Sequence, residues 1–187
     1  MTQTTTTCKV ISTSDYIVVP VTDQIFTEAT ERDNANFLRH GMTKTEGPED
    51  LDHRARKRRA GYIGEVAIKH SLPFLMYSNT DKYDFSNFIE ERYDAKNACQ
   101  HRMPAVNYTC CFLPNYKEYE TDYFIFTATD YKLTKCWILG FITPADFIAN
   151  SILKKKGEPK EHGTVYLSDR REMKVNQLNV IRNLWMQ

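Results

Sequence analysis

The chain has 187 residues, of which 41% are hydrophobic and 26% are charged, and its formal net charge is +1. This length predicts one domain with a substantial core, and the low net charge excludes functions that require a uniformly basic protein. No apolar stretch is long enough to span a bilayer, and the first residues lack the pattern of a signal peptide. We therefore expect a soluble, cytoplasmic protein with no membrane partner.

The metal-binding residue types do not form a zinc pattern. The five cysteines contain no Cys-x-x-Cys spacing, and the five histidines are scattered along the chain. A structural zinc site needs four converging ligands of these types. We therefore expect the cysteines to be reduced and mostly buried.

The first part of the chain has the pattern of one strand and two helices. β-Branched residues in 16–21 predict a strand, and the polar segment 27–40 predicts a helix. A loop is predicted at 41–49, and a long helix at 50–71, which Asp50 can cap and Pro73 ends. Apolar residues recur in this long helix near the helical spacing.

The periodicity then changes to that of strands. A hairpin is predicted at 83–98, a strand at 106–112 and a short helix at 115–120. Segments 123–129 and 136–142 are continuous apolar runs, which are typical of strands buried on both faces. A helix is predicted from Pro144 to about Leu153, then a strand at 164–167 and a final segment from Val175. This order predicts a mixed α/β domain.

Four charged residues in and near the predicted hairpin suggest a catalytic site. Asp94 and Lys96 are two positions apart, so on a strand they project from the same face, roughly 6.5 Å apart. Asp84 lies across the hairpin, and Glu65 lies on the long helix. Carboxylates bind Mg²⁺, and a lysine can position water and offset charge on a phosphate. The set therefore suits metal-dependent hydrolysis of phosphodiester bonds.

Other interpretations of these patterns remain open. Asp94 and Lys96 alone could form an exposed ion pair on one strand. Asp122, Asp130 and Lys132 form a competing set, because Asp130 ends a buried apolar run and has its own preceding acid. The alternative for this second set is a turn at the end of the strand. The additional carboxylates Asp84 and Glu65, which come in the right order along the chain, favour the site around Asp94 and Lys96.

The order of these motifs resembles the PD-(D/E)XK nuclease superfamily, which has the restriction-endonuclease-like fold. The matching segments are Gly-x-x-Gly-Glu at 61–65, Tyr-Asp-Phe at 83–85, Asp-Ala-Lys at 94–96 and the apolar strand at 137–142. Lys-Lys-Gly at 155–157 and His-Gly at 162–163 are similar to members encoded by bacteriophages. The resemblance covers about residues 50–181. It implies a mixed central sheet flanked by helices in a nuclease-like domain, 50–187, with residues 1–49 as an N-terminal extension that packs on the core.

The resemblance also implies roles for individual residues. Asp84, Asp94, Glu65 and the backbone carbonyl of Ala95 would bind Mg²⁺, which Mn²⁺ can replace, and Lys96 would be the catalytic lysine beside the three acids. The sequence departs from the family pattern in two places. A tyrosine precedes Asp84 where proline is usual, and Asp94 stands where glutamate is more common.

The activity implied is that of a magnesium-dependent deoxyribonuclease, with an endonuclease favoured over an exonuclease and the choice between them left open. Its partner would be DNA, a homodimer is compatible with it, and a phage-encoded member would act in the cytoplasm of the host cell. The alternative function, from another class, is a non-catalytic nucleic-acid-binding or interaction protein that retains the fold.

A basic run precedes Glu65 by about two turns on the long helix. It contains Arg54, Arg56, Lys57, Arg58 and Arg59. Steps of 100° around a helix spread these cations over most faces, so only part of the run can contact one partner. We interpret it as a surface that binds DNA phosphates. A solvated face paired with nearby acids and a nuclear localisation signal are the alternatives.

Overall fold

Along the chain, one strand and two helices are followed by a run of strands that one further helix interrupts. A computed structural model describes residues 8–40, 51–80, 82–114, 120–160 and 163–186, with the backbone alone for 37–40, 51–54, 110–114 and 185–186. The helices are α1 (Asp23–His40), α2 (Leu51–Ser71) and α3 (Pro144–Asn150). The strands are β1 (Ile17–Pro20), β2 (Met76–Tyr77), β3 (Phe85–Ser86), β4 (Arg92–Gln100), β5 (Thr109–Pro114), β6 (Tyr123–Asp130), β7 (Lys135–Ile142), β8 (Ile152–Lys154) and β9 (Arg170–Lys174). The mixed α/β class predicted from the sequence is confirmed.

Six of the strands form a mixed sheet in the order β1-β7-β6-β4-β3-β2. Strands β4 and β6 are parallel, and the other neighbouring pairs are antiparallel. The two apolar runs predicted as buried strands are β6 and β7, which lie in the middle of this sheet. A second sheet contains β5, β9 and β8, all antiparallel.

Apolar side chains cover both faces of the large sheet. On one face, Ile63 and Val66 of α2 pack in a core with Ile125 and Ile138 of the sheet. On the other face, Phe147 of α3 packs in a second core. Each large apolar side chain that is fully buried contributes about 1.5–3 kcal/mol. This burial on both sides explains why most positions of β6 and β7 are apolar.

The N-terminal segment contributes directly to the sheet and to its helical layer. Strand β1 pairs with β7 at the edge of the sheet, with Val18 opposite Trp137. Helix α1 lies against α2, and its buried residues Ile25 and Ala29 belong to the same core as α2. Residues before position 50 therefore help to build the surroundings of α2. None of the helices described here is long and apolar enough to cross a membrane.

Two predicted elements in the C-terminal part are wrong. The helix that begins at Pro144 ends at Asn150, and 152–154 form β8 instead of continuing it. Pairing of these three residues with β9 replaces the helical hydrogen bonds. The strand predicted at 164–167 is absent, because that segment forms only an isolated bridge between Val165 and Pro159. The strand of this region is β9, six residues later in the chain.

Other predicted elements agree with the structure or lie outside its described part. The hairpin is formed by β3 and β4, and α2 ends two residues before Pro73, which cannot continue a helix. The predicted loop at 41–49, the cap at Asp50 and positions 115–119 of the predicted short helix lie outside the described residues.

Candidate active site

The β3–β4 hairpin is built around one buried asparagine. The side-chain oxygen of Asn87 accepts hydrogen bonds from the backbone N–H groups of Ile89 (3.1 Å) and Glu91 (3.0 Å). Its amide donates to the hydroxyl of Tyr93 at 3.1 Å. These bonds fix the turn and place Phe85 opposite Tyr93. The register then brings Asp84 next to the following residues of β4.

Asp84 immediately precedes the first residue of β3 and lies at the edge of β4. Its Oδ2 accepts a hydrogen bond of 2.7 Å from the backbone N–H of Ala95. Without this carboxylate the N–H would lack a partner, because β3 pairs only with Arg92 and Tyr93. In an extended strand the N–H and C=O of one residue point to the same side. The carbonyl of Ala95, predicted as a metal ligand, therefore points to the same edge as Asp84.

Asp94 and Lys96 lie on one face of β4, as their spacing predicts. The Nζ atom of Lys96 is 2.6 Å from Oδ2 of Asp94. Tyr93 and Ala95 point to the opposite face and pack in the core beneath α2. The predicted alternation is thus confirmed. The ion pair is largely shielded, with 29% of the lysine side chain and 16% of the aspartate side chain exposed.

Close contact between α2 and the sheet brings Glu65 to this edge. A Cβ atom at Gly64 would lie only 2.6 Å from Oγ1 of Thr127 and 3.2 Å from Oδ1 of Asn97. Only glycine permits this approach, which explains the Gly-Glu pair in the sequence. The hydroxyl of Thr127 donates to Oδ1 of Asn97 at 2.9 Å, so the polar atoms below the glycine are satisfied.

Burial, and then the repulsion between neighbouring charges, raises the pKa of two of these acids. The pKa of Asp84 is raised well above its ordinary value, chiefly by burial and then by the charges of Glu65 and Asp94. The pKa of Glu65 is also raised, mainly by burial, although its ion pair with Arg32 opposes the shift. The side chains of Asp84 and Asp94 are within hydrogen-bond reach of each other. The structure therefore brings all four predicted residues to one edge of the sheet.

Arg32 is a site residue that the sequence did not reveal. It lies on α1, and its Nη2 atom is 2.8 Å from Oε2 of Glu65. Its guanidinium carbon lies 3.8 Å from the centre of the Tyr77 ring. A single arginine in a polar helix has no motif around it, so only the packing of α1 on α2 identifies it.

The competing acids do not share a site. Asp122 and Asp130 flank opposite ends of β6, which separates them by about 26 Å at ~3.3 Å per residue. Asp122 pairs with Arg92, with Nε 3.0 Å from Oδ2. Asp130 accepts from the backbone N–H groups of Thr134 and Lys135 at 2.6 and 2.9 Å. The turn interpretation of Asp130 is therefore the one that the structure supports.

The basic run of α2 separates into two kinds of residue. Arg58 and Arg59 both bind the fully buried carboxylate of Asp33 on α1, the second with Nε 3.2 Å from Oδ2. These two arginines hold the helices together. Arg56 and Lys57 are exposed, and Arg56 lies 5.9 Å from the ring centre of Tyr131. The side chain of Arg54 lies outside the described residues.

The donor set at the sheet edge suits a hard cation. Across the described ranges, no three carboxylate, imidazole or thiol groups are arranged so that they could by themselves hold a metal ion. Mg²⁺ usually requires only one or two carboxylates, with waters and substrate oxygens completing its coordination. Asp84 and Asp94 provide two carboxylates in mutual contact, beside a backbone carbonyl. Their oxygen-only chemistry fits Mg²⁺ or Mn²⁺.

No protein-family model and no curated protein matches this chain at a significant level. The interpretation of the site therefore depends on its own geometry and chemistry.

Proposed function

We propose that this protein is a metal-dependent nuclease that hydrolyses phosphodiester bonds of DNA, with the restriction-endonuclease-like fold of the PD-(D/E)XK superfamily. One observation carries the proposal. Asp84, Asp94, Lys96 and Glu65 come from three separate segments and meet at one edge of the sheet. A mixed six-stranded sheet with helices on its faces supports the proposed fold.

The acids would hold a divalent cation, Mg²⁺ or Mn²⁺. Its ligands would be Asp84, Asp94 and the carbonyl of Ala95, with Glu65 completing the set. When bound, such a cation polarises the phosphate and lowers the pKa of a coordinated water. The buried carboxylates favour this proposal, because a cation beside them would offset the burial of their charge, which is the main cause of the raised pKa values of Asp84 and Glu65, and also their mutual repulsion.

Lys96 would act on the water and the phosphate. Its ammonium group is fixed beside Asp94 and can donate a hydrogen bond to the attacking water. The water oxygen would form the new bond to phosphorus while the bond to the leaving oxygen breaks. The water releases one proton, and the leaving oxygen gains one. The charge of the lysine would stabilise the negative charge that accumulates on the phosphate.

DNA phosphates would contact the exposed part of the basic run. Arg56 and Lys57 are available for this role, whereas Arg58 and Arg59 are engaged by Asp33. A protein of this kind encoded by a phage would act in the cytoplasm of its host. A homodimer would be compatible with the proposed site, which one chain can build.

A cleavage assay tests the proposed function. Supercoiled, linear and single-stranded DNA are incubated with the purified protein and Mg²⁺, and with EDTA as the metal-free reaction. We expect cleavage only with metal, its loss in Asp94→Asn, and its retention in Asp130→Asn, which changes a carboxylate of the turn. Full activity in Asp94→Asn would contradict the proposed site. Binding without cleavage by the unmodified protein would support the non-catalytic alternative.

A further inference from the structure

A polar cleft opens beside the proposed metal-binding edge. Its volume is about 570 Å³, and Glu65 and Asp84 form part of its wall. The remaining wall includes Arg32 and three tyrosines, Tyr62, Tyr77 and Tyr83. Clefts of roughly 300–1,000 Å³ accommodate ligands of small-molecule size. A single nucleotide belongs to this size class, whereas a base-paired duplex is too wide to enter.

Arg32 is held in this cleft in a fixed orientation. The hydroxyl of Tyr77 donates to Oε1 of Glu28 at 2.8 Å, which anchors the ring on which the guanidinium lies. A second contact at 2.8 Å joins Nη2 to Glu65. The Nε atom of Arg32 is buried and has no hydrogen-bond partner among the described residues. The Arg32 side chain is 29% exposed, so a ligand in the cleft would contact the N–H groups of the guanidinium other than this buried one.

The chemistry of the guanidinium indicates which ligand its accessible N–H groups would bind. Its planar set of N–H donors matches the oxygens of phosphate and can bind two of them at once. Phosphate oxygens are also the groups that the adjacent acids and lysine are proposed to act upon. A phosphate bound by Arg32 would thus belong to the DNA strand that lies at the metal-binding edge.

An aromatic ring lies next to the acids. Tyr83 directly precedes Asp84 and is half-buried in the cleft wall. Stacking of a base on an aromatic ring is worth about 1–3 kcal/mol and does not depend on sequence. Such stacking requires a base that is not covered by its neighbours in a duplex.

We propose that this cleft binds one unpaired nucleotide of the strand that is cut, with a phosphate on Arg32 and the base against Tyr83. The inference rests on the proposed nuclease function and specifies its substrate class as single-stranded DNA. It assigns a substrate-binding role to α1, which belongs to the segment outside the family resemblance. Binding of the nucleotide in the cleft is distinct from the DNA phosphate contacts that Arg56 and Lys57 would make outside it.

Binding titrations test this assignment without depending on turnover. A fluorescently labelled single-stranded oligonucleotide of 12 nucleotides and a hairpin duplex of similar length are titrated in Ca²⁺. We expect the single strand to bind at least tenfold more tightly. Tyr83→Ala and Arg32→Gln should each weaken single-strand binding by at least tenfold. Tyr83→Phe should retain the affinity, because it keeps the ring.

Two control variants test whether loss of a tyrosine or an arginine outside the cleft also weakens binding. Tyr108→Ala removes a tyrosine that is 51% exposed away from the cleft, and Arg182→Gln removes an exposed arginine. Both should bind as the unmodified protein does. If Arg32→Gln does not fold in a thermal melt, the comparison of Tyr83→Ala with Tyr83→Phe decides alone.

The outcomes separate this inference from the proposed function. Equal affinity for single strand and duplex, or unchanged binding in Tyr83→Ala, would overturn the inference. If the protein also cleaves duplex with metal and loses this activity in Asp94→Asn, the nuclease proposal stands without it. Selective single-strand binding without cleavage would instead support the cleft and reject the nuclease proposal.

Discussion

Asp84 shows how burial and neighbouring charge act on a single carboxyl group. Its hydrogen bond from Ala95 favours the ionised form, yet burial and the charges of Glu65 and Asp94 outweigh this bond. Without metal, the pKa of Asp84 is therefore higher in the folded protein than in the unfolded chain. Ionisation of this residue opposes folding unless a cation compensates it.

We predict that the stability of metal-free Asp84→Asn rises with pH relative to the unmodified protein. Below the ordinary pKa of 3.8, Asp84 is protonated in both the folded and the unfolded states. As the pH rises through the higher pKa of the folded state, the unmodified protein loses this favourable contribution, whereas the asparagine does not titrate. Thermal melts in EDTA across the acidic and neutral range measure the difference.

Asp122 provides a control of opposite sign. Hydrogen bonds from Arg92 lower its pKa, so its ionised form is favoured in the folded state. The stability of Asp122→Asn should therefore fall relative to the unmodified protein as the pH rises through the pKa range of Asp122. A pH-independent difference for Asp84→Asn would contradict the buried acidic site.

At the level of elements, the contact between α2 and the sheet controls the position of Glu65. We predict that Gly64→Ala lowers the free energy of unfolding by about 1–3 kcal/mol, the usual range for overpacking. The added methyl group would meet Thr127 and Asn97. Because the same strain displaces Glu65, the proposed nuclease activity should fall as well. Chemical denaturation and the cleavage assay measure the two effects.

Gly61→Ala is the matched control on the same helix. No described side chain or neighbouring element lies within 4 Å of a Cβ at Gly61. Alanine is favoured over glycine inside a helix by up to about 1 kcal/mol. This variant should therefore be at least as stable as the unmodified protein and fully active. Equal behaviour of the two variants would contradict the close contact at Gly64.

The division of the basic run predicts two distinct phenotypes. Each phosphate contact contributes about 0.7 to the slope of log K against log salt for a single strand. Replacing both Arg56 and Lys57 by alanine should therefore lower that slope by ~1.4, without a change in melting temperature. Titrations with the labelled oligonucleotide at several salt concentrations provide the measurement.

Arg59→Gln is the comparison for this prediction. It weakens the contact with buried Asp33, and hydrogen bonds to charged groups contribute about 1.5–3 kcal/mol. We expect a loss of stability with an unchanged salt slope. If the salt slope falls in Arg59→Gln and is unchanged in the Arg56/Lys57 variant, the phosphate contacts belong to Arg59 and the assignment to Arg56 and Lys57 is wrong.

Local periodicity accounts for what could be predicted of the elements. The two-residue repeat fixed the shared face of Asp94 and Lys96, and the apolar runs identified β6 and β7. The helical pattern after Pro144 was misleading at 152–153, because pairing with β9 outweighed local preference there. Partners that are distant in sequence decide such cases, and a local pattern contains no information about them.

On the scale of the whole molecule, the N-terminal segment completes the candidate site. Helix α1 places Arg32 beside Glu65, and Asp33 on the same helix anchors two arginines of α2. The sequence motifs could identify the acids and the lysine because those residues lie within a hairpin and one helix. Arg32 could not be predicted, because its role depends on how α1 packs on α2.

Metal binding should stabilise the entire fold. A ligand that binds only the folded state raises the free energy of unfolding by about 2.7 kcal/mol when its concentration is one hundred times its dissociation constant. For a chain of this size, such a gain raises the melting temperature by roughly 5–10 °C. We expect this rise with Mg²⁺ or Mn²⁺, and its loss in Asp84→Asn. An equal rise in the melting temperature of both proteins would show that the metal binds at a site without Asp84.

The most direct test of the proposed nuclease site is cleavage of a labelled DNA strand by Lys96→Met. This variant keeps the three carboxylates but removes the ammonium group that would act on water and phosphate. We predict a metal-dependent rise in melting temperature like that of the unmodified protein, with cleavage at least 100-fold slower. Equal cleavage rates in the two proteins, or cleavage that persists in EDTA, would contradict a metal-dependent site built around Asp94 and Lys96.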